Sequence, residues 1–236
     1  MLQHFNGIYW GRYVEKRVCT DFQSFGGMVR NRVLPVFDGM KQELDDLEER
    51  RRNELLSAVD DSQEDYRAKG EVMEALAVNE VMEHATMLSA VYYATLNLYA
   101  AALFHLTEQH IVDLSTRILD YRHRAEMALA DAIKWFNEDV GLDLKGLPTW
   151  AVINELRLVA HTVKHGEGHS AKALCELRPD LFTLPHHRSD GAADLRVRKP
   201  LFGEGVYVTE EDFVTYHVGS VAFWNEIAAV LPNLTR

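Results

Sequence analysis

The sequence predicts an all-α protein, and three features of its patterning support this prediction. Apolar residues recur with a spacing of three and four from Phe37 onward, as on one face of a helix. The periodic segments from Pro35 to Val59 and from Glu71 to His110 are far longer than ordinary strands. Only two short runs, 195–198 and 205–208, are rich in β-type residues. We therefore expect an elongated helical bundle with a small β-hairpin before the C-terminal helix.

The order of these segments predicts a single domain made of four parts. Residues 1–34 are rich in aromatic side chains and are predicted to be irregular, with a break at Gly26-Gly27. Residues 35–110 should form a long helical hairpin whose charged EERRRNE surface faces solvent. Residues 111–180 should hold a helix from Leu114 to Val140 and then two shorter helices. Residues 181–236 should hold the hairpin and a last helix that starts at Thr209, with acidic residues in its first turn.

One stretch is apolar enough to raise the question of a membrane span. Ala85 to Leu106 contains no acidic residue, lysine or arginine across 22 residues. The same stretch carries Thr, Ser, Asn and His side chains and three tyrosines, and no basic flank sets an orientation. We therefore expect a central helix buried in the bundle and no membrane association.

Charge and cysteine content limit the classes of function. The net charge is −11, but 14 acidic and 6 basic residues lie between Lys41 and Glu83, whereas 7 acidic and 9 basic residues lie between Gly141 and Lys199. The acidity is thus mostly local, and it weakens a nucleic-acid hypothesis without excluding it. Two cysteines cannot form a disulfide framework or a four-cysteine zinc site. With no secretory signal pattern at the start, the sequence predicts a cytoplasmic protein.

The stretch NELRLVAHTVKHGEGHS, residues 154–170, carries the most chemistry in the chain. It predicts a helix that begins after Thr149 as N-cap and ends at Gly166. A polar stripe follows one face of this helix at positions i, i+3, i+7, i+10 and i+11: Asn154, Arg157, His161, Lys164 and His165. The adjoining apolar face should pack against neighbouring helices.

Two histidines near one phosphodiester could act as general base and general acid, because imidazole titrates near neutral pH. Arg157 or Lys164 could hold the phosphate and stabilise charge in the transition state, with Asn154 assisting phosphate binding. RNA supplies its own nucleophile, the 2′-OH, so that no metal or other cofactor would be needed. A structural explanation stands beside this one, because Lys164 and His165 also complement the exposed carbonyls of a last helical turn.

Metal binding is a further alternative. His161, His165 and His169 are spaced four residues apart, and the first two have good two-ligand geometry on a helix. Gly166 and Gly168 should break the helix before His169. A complete site would therefore need Glu167 or the pair His186-His187 from outside the helix.

The motif region resembles the signature helix of the HEPN superfamily, a group of all-helical domains found among prokaryotic toxins and anti-phage RNases. The matching residues are Trp150, Ile153, Asn154, Glu155, Leu156, Arg157, His161, Lys164, His165, Gly166 and Gly168. The family pattern is an arginine, a polar residue and, a few residues later, a histidine. His165 matches the histidine and His161 the polar residue, but the arginine position is then Ala160, and Arg157 lies one turn earlier.

The resemblance implies a metal-independent endoribonuclease in a toxin or anti-phage defence system. It also implies a homodimer in which two motif helices face each other and share their active sites. His165, His161 and Arg157 would be the catalytic residues, and Lys164 and Asn154 would bind phosphate. The alternative is a non-catalytic HEPN-like module that binds a nucleotide or a protein partner from the same system. Ala160 favours this alternative, and the well-formed polar stripe favours the enzyme.

Overall fold

A computed structural model of the chain describes residues 5–57, 66–119, 127–190, 197 and 199–234. These residues are about 85% helical and include no β-strand, which confirms the predicted all-α class. They belong to two compact units, one made of Met1–Val29 with Tyr93–Arg236 and the other of Arg30–Tyr92. The α-helices in the described part of the chain are α1 (Gly7–Tyr13), α2 (Cys19–Met28), α3 (Met40–Ser57), α4 (Tyr66–Ile118), α5 (Leu129–Trp135), α6 (Trp150–His165), α7 (His169–Leu177) and α8 (Glu210–Val230).

The N-terminal segment is helical, and the prediction of an irregular 1–34 was wrong for the residues that the structure describes. A π-helical turn, Val14–Val18, joins α1 to α2, and a second one, Val29–Val33, continues α2. Gly26 does not break the helix. A Cβ at Gly26 would lie 2.2 Å from Nε2 of His217, so the glycine allows α2 to approach α8 closely.

Helix α8 organises the first unit, because it packs against α1, α2 and α6. It starts as predicted, with Thr209 and Asp212 forming a capping box. Phe213, Tyr216 and Trp224 point inward and are each at most 1% exposed. These contacts place α6, the motif helix, directly against α8.

The boundary between the second and third predicted helices was wrong. Helix α4 continues to Ile118, and the next described helix, α5, begins only at Leu129 and ends in a π-helical turn, Phe136–Val140. Leu114, predicted to start the third helix, lies within α4 and is 1% exposed. The buried stripe of α4 does not stop at His110, so the apolar spacing gave no reason for the helix to end there.

Of the predicted β-hairpin, the described residues contain the turn and one antiparallel bridge, between Lys199 and Glu204. Most of the run 195–198 lies outside the described residues. Beyond the turn, the Asn97 side chain of α4 binds the backbone of this segment. Its Nδ2 donates to the carbonyl oxygens of Pro200 (2.9 Å) and Val206 (2.8 Å), and Val208 N–H donates to its Oδ1 (3.2 Å). These three backbone groups of the 200–208 segment therefore bond to a helix side chain.

The second unit consists of α3, the turns before it and the first part of α4. Arg51 of α3 binds Glu80 of α4, and His84 lies 3.0 Å from Glu43. Arg51 also pairs with Glu54 along α3, at 2.6 Å. As predicted, most of the charged side chains of α3 are exposed.

The apolar stretch of α4 belongs to the helix segment Glu74–Ile118, which is long and apolar enough to cross a membrane by length and composition alone. A core helix of a soluble protein passes the same test. Leu96, Leu103 and Phe104 are at most 2% exposed and contribute to the core of the first unit. Only 33% of the apolar window is buried, however, and Met87, Val91 and Leu98 are exposed, so α4 is less buried than predicted.

Candidate functional site

The motif helix α6 has one buried face and one polar face, as predicted. Ile153, Leu156, Val159 and Val163 are at most 2% exposed and pack toward α7 and α8. The helix ends at Gly166, whose φ of +70° suits glycine and confirms the predicted C-terminus. At the other end, Thr149 is the N-cap residue but its side chain does not cap the helix. The Thr149 hydroxyl donates instead to Glu226 of α8.

The polar stripe divides into a half-buried part and an exposed part. Asn154, Arg157 and His161 are half-buried, and Lys164 and His165 are exposed. The Arg157 guanidinium donates to Oδ1 of Asn154 through Nε (3.3 Å) and Nη2 (3.1 Å). Asn154 therefore orients the guanidinium, which leaves its remaining N–H groups for a ligand.

His161 lies at the centre of the stripe. Its ring centroid is 5.9 Å from that of Phe104 and 6.2 Å from that of His165, both in edge-to-face arrangements. Burial lowers the pKa of His161, and the positive charges of Arg157 and His165 lower it further. A neutral imidazole with a lowered pKa is a proton acceptor at neutral pH.

Helix α4 adds two groups to the site that could not be placed there from the sequence, His105 and Glu108. Nδ1 of His105 lies 3.0 Å from a carboxylate oxygen of Glu108, and both charges influence the pKa of His161. The only sequence signal was a histidine and an acid one turn apart, at the end of an otherwise apolar run. Nothing local in the sequence connects residue 105 to residue 161.

An open pocket of about 420 Å³ adjoins the last turn of α6. His105, Gln109 and Lys164 supply polar groups to its wall. The apolar lining residues come from α2, α4, α6 and the turn held by Asn97: Phe25, Leu98, Ala101, Ala102, Leu106, Val163 and Leu201. Lys164 and His105 thus connect an apolar pocket to the polar stripe, an arrangement suited to a ligand with both an apolar and an anionic part.

Ala160, the residue at the family's arginine position, is fully buried. An arginine at this position would point into the core and away from the two histidines. The guanidinium that does influence His161 belongs to Arg157. Arg157 is the only arginine on α6, and it lies on the same face as the imidazoles.

The metal alternative is not assembled in the described part of the chain. No group of three or more His, Cys, Asp or Glu side chains there could hold a metal ion. His169 is the first residue of α7, beyond the bend at Gly166, and Glu167 is exposed in that bend. His186 and His187 contact each other in a separate 3₁₀ turn, with ring centroids 4.2 Å apart and ring planes tilted by 51°.

A charged network fixes another face of α6. Glu155 accepts hydrogen bonds from Nη1 of Arg178 (2.6 Å) and from the hydroxyl of Tyr216 (2.7 Å). Arg178 also binds Asp180 and Asp212, the latter being part of the α8 capping box. Hydrogen bonding to Arg178 lowers the pKa of Asp180, and burial beside Glu155 raises the pKa of Tyr216. This network ties α6, the residues after α7, and α8 together.

The polar face of α6 thus groups two imidazoles, a guanidinium and an ammonium, and the pKa of one of them, His161, is lowered. Comparisons with protein-family models, curated proteins and solved structures gave no match.

Proposed function

We propose that the chain is a metal-independent endoribonuclease of the HEPN type that acts in the cytoplasm as part of a toxin or anti-phage defence system. The observation that carries this proposal is the grouping of His161, His165 and Arg157 on one accessible face of α6. The resemblance of residues 150–168 to the HEPN signature points to the same chemistry. RNA is the substrate because its 2′-OH provides the nucleophile that the site itself lacks.

In the proposed reaction, His161 accepts the proton of the 2′-OH while the 2′-oxygen attacks phosphorus. His165 donates a proton to the 5′-oxygen as the bond from phosphorus to that oxygen breaks. The products are a 2′,3′-cyclic phosphate and a 5′-hydroxyl end, so that atoms and protons balance. Arg157 and Lys164 stabilise the negative charge on the phosphate oxygens, and Asn154 keeps the guanidinium of Arg157 in place.

The lowered pKa of His161 supports its assignment as the base, because it favours the unprotonated imidazole before reaction. The exposure of His165 at the helix end supports its assignment as the acid, because the leaving strand must exit toward solvent. A homodimer follows from the resemblance, in which two facing motif helices complete each site.

The test is cleavage of 5′-labelled RNA in EDTA by the wild-type chain and by His165→Ala, His161→Ala and His169→Ala. We expect the first two variants to lose about 10²- to 10⁴-fold in rate, the usual contribution of a general acid or base. His169, exposed at the start of α7, is the matched control and should keep full activity. Equal cleavage by the wild type and His165→Ala, or no cleavage by either, would refute the ribonuclease. Cleavage by the wild type that occurs without EDTA and is lost in EDTA would instead favour the metal site.

A second function is favoured by one observation, the buried Ala160 where the family has its arginine. In this case the chain is a non-catalytic HEPN-like module that binds a nucleotide or a protein partner from the same system. The pocket beside Lys164 and His105 would then hold the ligand. Binding of RNA or nucleotide without cleavage, lost in Lys164→Ala, would support this function over the enzyme.

A further inference from the structure

The N-terminal helices and the end of α4 form a second polar surface, separate from the motif helix. Its lining residues surround an open depression of about 610 Å³ and are Tyr9, Arg12, Tyr13, Lys16, Arg17 and Arg117. The first five follow one another at intervals of three, one, three and one residues, which places them on one side of a helix. We call these six residues the basic–aromatic surface.

The charge of this surface is opposite to that of the whole protein. Its lining contains four cations and no acid, in a chain with a net charge of −11. Two of the cations are compensated, since Arg117 binds Asp113 (2.5 Å) and Arg17 lies 3.8 Å from Asp21. Among the residues that the structure describes, Arg12 and Lys16 make no ion pair, and both are exposed. A local positive potential therefore remains for an anionic partner.

The aromatic side chains of the surface are held in fixed orientations. Trp10 packs edge-on against Tyr9 and Tyr13, with ring centroids 4.9 Å and 5.7 Å away. Tyr9 is 58% exposed, so much of its side chain is accessible to a ligand. The Arg117 guanidinium lies 5.7 Å from the centre of the Tyr13 ring, as in a cation–π contact.

This surface lies away from the candidate active site. Arg117 follows His105 by 12 residues on the continuous helix α4. Twelve residues correspond to a rise of about 18 Å and a rotation of about 120° around the helix axis. A ligand on the basic–aromatic surface would thus occupy a different part of the first unit from one bound at His161.

We propose that the basic–aromatic surface binds single-stranded nucleic acid. Arg12, Lys16 and Arg17 contact consecutive phosphates, and one unstacked base packs on the exposed Tyr9 side chain. Cations alone would suit any polyanion, including an acidic protein segment. The exposed tyrosine favours nucleic acid, because every base offers a flat face for stacking and an acidic peptide does not. If the chain is the proposed ribonuclease, single-stranded RNA is the form of substrate that this surface binds, but binding itself does not require cleavage.

The test measures binding by fluorescence anisotropy, using a labelled oligouridine of about 12 nucleotides in EDTA. The protein is the full chain with His165→Ala, so that cleavage cannot consume the probe. Arg12→Glu with Lys16→Glu should weaken binding at least about tenfold at low salt. The slope of log K against log salt should fall by about 1.4, the value for two lost phosphate contacts on a single strand.

Matched variants separate this surface from net charge and from folding. Lys41→Glu with Lys145→Glu changes the net charge by the same amount at two exposed sites elsewhere, and it should retain most of the affinity. Tyr9→Ala should weaken binding about tenfold, whereas Tyr9→Phe keeps the ring and should bind as the parent does. Circular dichroism checks that each variant remains helical.

Three results would overturn the inference: no binding by the parent at about 50 mM salt, equal losses in the two charge-reversal pairs, or displacement by polyglutamate as efficient as by RNA. The last result would assign the surface to an acidic protein. Failure of the ribonuclease proposal is distinguishable, because it would leave surface-dependent binding without cleavage. If the surface proposal fails and the ribonuclease proposal holds, the wild type would cleave RNA, but substitutions at Arg12, Lys16 and Tyr9 would not change RNA binding.

Discussion

Replacing Asn97 with alanine should strongly destabilise the first unit. The side chain is fully buried on α4 and makes three hydrogen bonds to the backbone of residues 200–208. Val206 and Val208 are also fully buried, so water cannot readily replace the lost partner. At about 1 kcal/mol net for each hydrogen bond, the free energy of unfolding should fall by about 3 kcal/mol. For a chain of this size, that corresponds to a drop in Tm of roughly 6–12 °C.

Urea denaturation followed by far-UV circular dichroism measures this loss. Asn79→Ala is the control, because Asn79 lies on the same helix but is exposed, and its side-chain amide donates to the exposed Glu83. The control should change stability by less than about 0.5 kcal/mol. A loss below about 1 kcal/mol for Asn97→Ala would refute the argument that this side chain holds the 200–208 segment in place.

Asn97→Asp distinguishes hydrogen bonding from simple loss of volume. The carboxylate keeps an acceptor for Val208 N–H but faces the carbonyl oxygens of Pro200 and Val206, to which asparagine donates. At neutral pH the aspartate variant should therefore be less stable than the alanine variant, because a charge is buried against two acceptors. An aspartate variant as stable as the wild type would contradict the assigned bonds.

Two further predictions concern packing and pH. Gly26→Ala should lower the free energy of unfolding by about 1–3 kcal/mol, because the added Cβ would overlap the buried His217 ring. Gly27→Ala is the control and should cause no such loss, because the space around its Cβ position is open. Thermal denaturation compares the two variants. The pKa values of His161 and His110 are lowered in the folded state, so the unfolded chain binds more protons as the pH falls. The free energy of unfolding should therefore keep its full value above about pH 6.5 and decrease as the pH falls below it. Urea titrations at about pH 7 and pH 5 should show a smaller decrease in His110→Gln than in the wild type, and an equal decrease in both would contradict the burial argument.

The parts of the fold that could be predicted from the sequence are those fixed by local chemistry. Gly166 ends α6 because the chain needs a positive φ there, and Thr209 starts α8 through a capping box with Asp212. Gly26 shows where this reasoning fails. In the sequence it looks like a helix breaker, but its role depends on His217, which is 191 positions away in the chain.

The candidate site was predictable to a similar extent. The five residues of the polar stripe lie on one face of α6 because helical spacing determines the face. His105 and Glu108 could not be assigned to the site, because only the packing of α4 near α6 brings them close to His161. Ala160 is fully buried, so its position favours a small side chain.

The network around Glu155 has a consequence for how this protein can change. Glu155 lies about 120° around α6 from His161, and its bonds to Arg178 and Tyr216 set the orientation of the helix. Glu155, Arg178 and Tyr216 all lie outside the polar stripe that carries His161 and His165. Substitution of His165, which is exposed, should therefore leave this network and the fold in place. The two proposed functions, cleavage and binding, would therefore differ by a few side chains on one partly exposed helix face.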